Sequence, residues 1–315
     1  MLRYRPTGLF GKPLFALIVI FWGSVALPCP AQAQGRPDST VVSDREFLRL
    51  MQRAKELDEE QKLRARRTTN TRVLSKLADD EDIGGRFFAA FNKYTPPDAL
   101  LKLSGDANES IRWAVAMNLN IPEDVMIGLV SDYSEIVRLG LAANPNTSPE
   151  ILAVLADDVS TAVRRKVAAN TNADPLILRV LSADPERSVQ LTVAYNPKTP
   201  ASVMTDFSMA TDESFRLATA ENKGASPAVL LSLVFDSNLD VRRKIATNPV
   251  MPAAGLLRLA EDPDLQIRSA VAINPNTSPD ALEMLSFDAD EGIRRESRNR
   301  LGKLLKKQIA EDRER

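Results

Sequence analysis

The chain of 315 residues contains no histidine, and its one cysteine, Cys29, lies near the N-terminus. Histidine acid–base chemistry, serine–histidine triads and His/Cys zinc sites are therefore excluded for this chain alone, and no cofactor is expected. Aromatic residues make up only 5%, which fits helices with small packing units better than a sandwich rich in Tyr and Trp. The formal net charge is −1, so bulk electrostatics give no reason to expect nucleic acid as a partner.

Long apolar runs are scarce too. Leu14–Leu27, "LFALIVIFWGSVAL", is too short for a membrane span. It follows Arg3, Arg5 and Lys12 with no acid among them, and an A-x-A site follows at Ala31–Ala33. These are the parts of a secretory signal peptide over residues 1–33, with a mature chain starting at Gln34. Two alternatives remain: an uncleaved N-terminal anchor, and a lipoprotein modified at Cys29, which Pro28 and Pro30 fit badly. Cleavage would remove three basic residues and no acid, taking the net charge from −1 to −4. It would also remove the only cysteine, so an exported chain would have to be held together by packing alone.

What is present in abundance is a repeat. "LAANPNTSPEIL" from Leu141 returns as "VAINPNTSPDAL" from Val271, 130 residues on, which is five times 26. Steps of 26 give Asn92, Asn118, Asn144, Asn170, Asn196, Asn222, Asn248 and Asn274 in perfect register. An earlier unit has Arg66 at that place but keeps Leu77, Asp80 and Arg86 in phase. Eight and eleven residues past each asparagine stand apolar pairs such as Leu100 with Leu103 and Leu152 with Leu155. That i, i+3 pair is the buried stripe of a short helix, and a proline four or five places after the asparagine marks its start.

A second helix is carried by pairs four apart: Ile111 with Val115, Val163 with Val167, Val241 with Ile245, Ile267 with Val271. Just behind them an alanine recurs, from Ala90 to Ala272, which suggests close approach of backbones between stacked turns. The asparagine ends this helix; its short amide tolerates left-handed backbone and can bond nearby backbone groups, forming a ladder through the stack. Arg86, Arg112, Arg138, Arg164, Arg216, Arg242, Arg268 and Arg294 share another row, broken only by Gln190. Aspartates six residues upstream share a third, from Asp80 to Asp288, broken by Ala210. Matching rows favour a ladder of Asp–Arg pairs over a free basic stripe for an anionic polymer. No unit can bury its apolar stripe alone, so nine units over residues 66–299 make an elongated, curved, all-α solenoid.

The pattern "VRxxVAxNPNTSPxxLxxLAxD", nearly whole in Val137–Asp158 and again from Ile267, resembles the leucine-rich repeat variant family. The resemblance covers about three quarters of the chain and implies a right-handed superhelix of α-helices alternating with 3₁₀-helices, without strands. The family's unit is about 24 residues, so the 26-residue period lengthens a helix or a turn. The family's iron–sulfur member carries cluster cysteines ahead of its repeats; none stand in the mature part here, and that cofactor is not implied. The D…VR…A pattern is also similar to HEAT repeats, but those need two full helices in about 40 residues.

Residues 34–65 hold a leader and an amphipathic cap helix from Ser43, with Phe47, Leu50, Met51, Ala54 and Leu57 on one face. Residues 300–315 hold a basic C-terminal cap helix and tail with Leu301, Leu304, Leu305 and Ile309 on one face; its charge run is the solvated side of a capping helix or, as the alternative, the one place where an anionic membrane could be met. Among the variable positions, Trp113 stands one residue past the arginine row and is the aromatic expected at a rim as a partner contact, or packed against the first cap. The expected function is a non-catalytic scaffold for protein–protein interaction in the cell envelope, its protein partner unspecified. A structural spacer or self-assembling array is the alternative. A carboxylate-based hydrolase would have to use "LADDED" at Leu77–Asp82 or "DADEG" at Asp288–Gly292, which lacks full calcium-loop spacing.

Overall fold

The computed structural model describes residues 68–314, with side chains described to Lys306. The expected signal peptide and N-terminal cap helix, and Cys29, lie outside the described residues. The described residues form eighteen α-helices and no strands. They divide into two compact units, one ending at Asn146 and the other beginning at Thr147.

The first unit holds α1 (Thr71–Leu77), α2 (Ile83–Phe91), α3 (Pro97–Ser104), α4 (Glu109–Ala116), α5 (Glu123–Leu129) and α6 (Glu135–Ala143). The second runs from α7 (Pro149–Leu155) and α8 (Thr161–Ala169) through α9 (Pro175–Leu181), α10 (Arg187–Tyr195), α11 (Ala201–Ser208) and α12 (Glu213–Glu221). It ends with α13 (Pro227–Ser232), α14 (Leu239–Thr247), α15 (Ala253–Leu259), α16 (Leu265–Ile273), α17 (Pro279–Leu285) and α18 (Glu291–Glu314). Odd-numbered helices are the first helices of each repeat and even-numbered ones the second, so the expected nine helix pairs are all present. Within each unit, second helices pack on second helices (α2 on α4 on α6; α8 through α18 in turn), and first helices on first.

The local chemistry of each helix start is as the sequence implies. Ser148, Ser226 and Ser278 cap α7, α13 and α17 by accepting from the third backbone N–H, ahead of a proline in the first turn. Where proline itself stands at the cap, at Pro96, Pro122, Pro200 and Pro252, no side-chain cap bond forms. Two expectations are corrected. The 3₁₀-helices implied by the resemblance are absent among the described residues, because the first helices close full α turns, with Leu100 N donating to Pro96 O and Leu152 N to Ser148 O. The i→i−3 bonds include ones at turns and helix ends, such as Asp106 N to Leu103 O and Gly255 N to Pro252 O. Nor do the seven asparagines that form C-caps use left-handed backbone: their φ runs from −78° at Asn92 to −63° at Asn274, in extended conformation. Their side chains, not their backbone, are what the fold needs.

The core follows the rows. Leu100, Leu103, Leu152, Leu155, Leu178, Leu181, Leu230 and Leu282 are fully or almost fully buried, as are Ile111, Val115, Val163, Val167, Val241, Ile245, Ile267 and Val271. The boundary expected at residues 299 and 300 falls inside α18, which continues without a break to Glu314.

Candidate interaction surface

What the stack uses has to be separated from what it leaves free. The asparagine ladder belongs to the stack. Asn118 Nδ2 donates to Ala90 O (2.7 Å) and Asn92 O (2.9 Å) of the repeat before it, while its Oδ1 accepts from Asn120 N. Asn144 does the same with Ala116 O and Asn118 O, and Asn196, Asn222, Asn248 and Asn274 repeat the geometry in the second unit. Asn92 Nδ2 donates to Thr68 O, and Asn170 is buried at the same place. This explains the alanine row. The carbonyl two residues before each asparagine must meet an amide of the next repeat, and only a small side chain leaves that approach open.

Sequence alone misses how the last rung is made. One period past Asn274 stands Arg300, whose guanidinium donates to Ala272 O and Asn274 O, the same two carbonyls an asparagine would serve. A partial second ladder also runs one turn on: Asn120, Asn146 and Asn276 donate to Lys93 O, Leu119 O and Pro249 O.

The arginines and aspartates pair, but across repeats. Arg112 Nε and Nη2 grip Asp132 at 2.7 and 3.0 Å, twenty residues on, while Nη1 donates to the backbone carbonyl of Asp106 in its own repeat. The same fork joins Arg164 to Asp184, Arg216 to Asp236, Arg242 to Asp262 and Arg268 to Asp288, and Arg86 Nε donates to Asp106. Each aspartate also accepts from the backbone N–H two residues later, as Asp132 does from Ser134. Arg138 and Arg294 donate to the carbonyls of Asp132 and Asp288. Charge-assisted bidentate pairs of this kind are shut off from solvent; the Arg112 and Asp132 side chains are only 5% and 6% exposed. Hydrogen bonds from Arg164 and Arg268 hold the Asp184 and Asp288 carboxyls below their ordinary range.

The two exceptions in these rows turn out to be one. Gln190 and Ala210 are twenty residues apart, so the missing arginine and the missing aspartate belong to the same pair. Gln190 Nε2 still donates to Asp184 O and Arg216 Nη1 to Ala210 O, preserving the backbone half of each fork. At this seam Arg187 instead reaches Asp212 (2.6 Å) and Ser214 Oγ (2.9 Å), and Phe207 stacks on Phe215 with centroids 5.0 Å apart.

The acidic stretches weighed for catalysis are engaged in the fold. Asp79 pairs with Lys102, Asp80 Oδ1 accepts from Asp82 N, and Asp82 caps α2 at Gly85 N. Asp288 pairs with Arg268, and Asp290 accepts from Ile293 N at the start of α18. Among the described residues no three carboxylates cluster as metal ligands, and no helix is long and apolar enough to cross a membrane. A cleft of about 320 Å³ is lined by Asp79, Arg86, Lys102 and Asp106, which pair as Arg86 with Asp106 and Lys102 with Asp79.

Exposed apolar side chains stand in both units, Phe235 and Phe287 on turns of the second among them, and those of the first unit include a group on and beside its second helices. Trp113 does not stand at the rim, where its variable row suggests it. It is buried, stacked on Phe91 (centroids 6.3 Å, 14° between planes) and pressed against Gly140, where an added Cβ would lie 3.0 Å from its Cδ1. Phe91 in turn stacks on Phe87 at 6.3 Å. The result is a ribbon over α2, α4 and α6 with Trp113 as its floor. Phe91 (43%), Tyr94 (45%) and Leu119 (47%) stand exposed on it or on the turns beside it.

No family model matches the chain, and no curated protein matches it. Its fold is similar to that of a solved structure described as "a leucine-rich repeat variant with a novel repetitive protein structural motif". The two share 23% identity and a TM-score of 0.51, over 71% of this chain and 88% of the other.

Proposed function

From a fold shared with the leucine-rich repeat variant, we propose that this protein is a non-catalytic scaffold for protein–protein interaction, exported to the cell envelope. The observation that carries the binding half of this reading is the exposed aromatic ribbon of the first unit. Phe91, Tyr94 and Leu119 take no side-chain part in the asparagine ladder or the Arg–Asp forks, yet each leaves apolar surface in water on a rigid base. A rigid aromatic surface binds at low entropic cost, because its side chains have few rotamers to lose. Export rests on the signal-peptide pattern of residues 1–33. Engagement of the acidic stretches in caps and ion pairs supports the non-catalytic reading.

Phe91→Asp and Leu119→Asp chains compared with the parent chain, each crosslinked to an envelope extract and read by mass spectrometry, test it. A protein captured by the parent and lost from both variants, with melting unchanged, is the expected result. A protein retained by both would place the contact elsewhere. Accumulation of a chain retaining residues 1–33 in the cytoplasm would refute export.

A further inference from the structure

Two surfaces of the second unit complement each other in charge and apolar character. The first is the corner where a first helix turns into its second. Phe235, Glu261 and Phe287 hold one register there, a period apart, just past α13, α15 and α17. Phe235 and Phe287 are 82% and 77% exposed, and Glu261 is exposed between them. Packed helices lie about 8–10 Å apart, so two repeats separate the rings by about 16–20 Å. One helix, about 10–12 Å across, fits between them. The corner residues 235–239, 261–265 and 287–291 hold seven acids and no base. Asp236, Asp262, Asp264 and Asp288 pair with arginines, which leaves Glu261, Asp290 and Glu291 with no ion pair among the described residues.

The second surface is the overhang of α18. The other second helices of this unit have nine residues. α18 has 24 and runs on past Arg300, where the ladder ends. Lys303, Leu304, Leu305 and Lys306 all stand exposed on it, and no acid occurs from Ser297 to Ala310. α18 starts at the corner, at Glu291, and Leu304 lies about 20 Å further along its axis. The second helices lie side by side, each running from its corner to its asparagine. The overhang therefore leaves at the edge opposite the corners and cannot reach those of its own chain.

We infer that this overhang docks between Phe235 and Phe287 of a second copy of the chain, with Leu304 and Leu305 against the rings and Lys303 and Lys306 towards Glu261 and Glu291. The corner calls for an occupant that is apolar and basic at once, and α18 presents both together beyond the reach of its own corner. Because the two faces differ, the contact is heterologous, and each copy in a pair keeps one face free for another. It uses neither Phe91 nor Leu119, so it does not rest on the partner proposed above.

Sedimentation velocity of the full chain, over a range of protein and salt concentrations, tests this contact. Association that grows with protein concentration and weakens with added salt is the expected result. Phe287→Asp and Leu305→Asp should each abolish it with melting unchanged. Mixed together, these two variants should form a one-to-one dimer and stop there, because one keeps the helix and the other keeps the corner. A parent chain that stays monomeric, variants that still associate alone, or a mixture that stays monomeric would each overturn the inference. Co-sedimentation of such monomers with phosphatidylglycerol vesicles, lost in Leu305→Asp, would give the overhang to a lipid surface instead.

Discussion

The second helices of the two units share one skeleton and differ in what they turn to solvent. "RFFAAF" at the end of α2, "RWAVA" in α4 and "RLGLAA" in α6 stand against "RRKVAA" in α8 and "RRKIAT" in α14. The arginine of the seam row and the alanine are the same in all five, and the core position between them is apolar in each. The positions that seam and core leave free are apolar in these three helices of the first unit and largely charged in α8 and α14, where Arg165 and Lys166 stand exposed and Arg243 pairs with Asp264. Similar seams under different faces imply that stability and recognition are carried by different rows and should separate on mutation.

The strongest way to break that separation is to remove an arginine from the seam. Arg112→Met would leave Asp132 buried without its cation, at a cost of about 3–5 kcal/mol. Arg242→Met should cost a comparable amount in the second unit, because Asp262 is equally enclosed. Denaturant unfolding of both variants checks this. A loss confined to one unit would end the claim that the seams are equivalent.

Two glycines sharpen the comparison at smaller amplitude. Gly224→Ala would drive a Cβ to 2.1 Å from Pro197 O, a backbone atom that cannot step aside, whereas Gly140→Ala meets the edge of the Trp113 ring at 3.0 Å. The first should cost about 2–3 kcal/mol and the second about 1 kcal/mol or less. Gly140→Ala should also change the Trp113 fluorescence, which thermal melts would leave undetected.

Acid supplies a still smaller perturbation. Asp184 and Asp288 have lowered pKa values in the folded chain, through their bonds from Arg164 and Arg268. A lowered folded value means the stabilisation is complete above the unfolded value of about 4. It is then lost as pH falls through the folded value. Unfolding midpoints should therefore hold from neutral pH to about pH 4 and fall below it. Asp184→Asn should be less stable at neutral pH and less sensitive to acid.

Much of this was legible in the sequence for a simple reason. A 26-residue period aligns every row, so the helix pairs, the asparagine ladder and the buried stripe follow from counting. The pairing partner was not legible in the same way. An aspartate six residues before an arginine and another twenty residues after it lie in the same row, and the period alone cannot choose between them. The coincident exceptions Gln190 and Ala210 hold that information, since a pair lost together is a pair. Trp113 misled because variability suggested a rim. Its burial is decided by neighbours in adjacent repeats, Phe91 and Gly140, and the glycine in a helix was the available signal. Arg300 was hidden because it takes an asparagine's place within a longer helix that reads as a tail.

Restoring the missing pair is the most direct test of the seam account. Gln190→Arg, Ala210→Asp and the double variant complete a thermodynamic cycle by urea unfolding. If arginines staple each repeat to the aspartate twenty residues on, the double variant should exceed the sum of the single effects by about 1 kcal/mol. Additive effects at positions 190 and 210 would contradict that pairing as a source of stability.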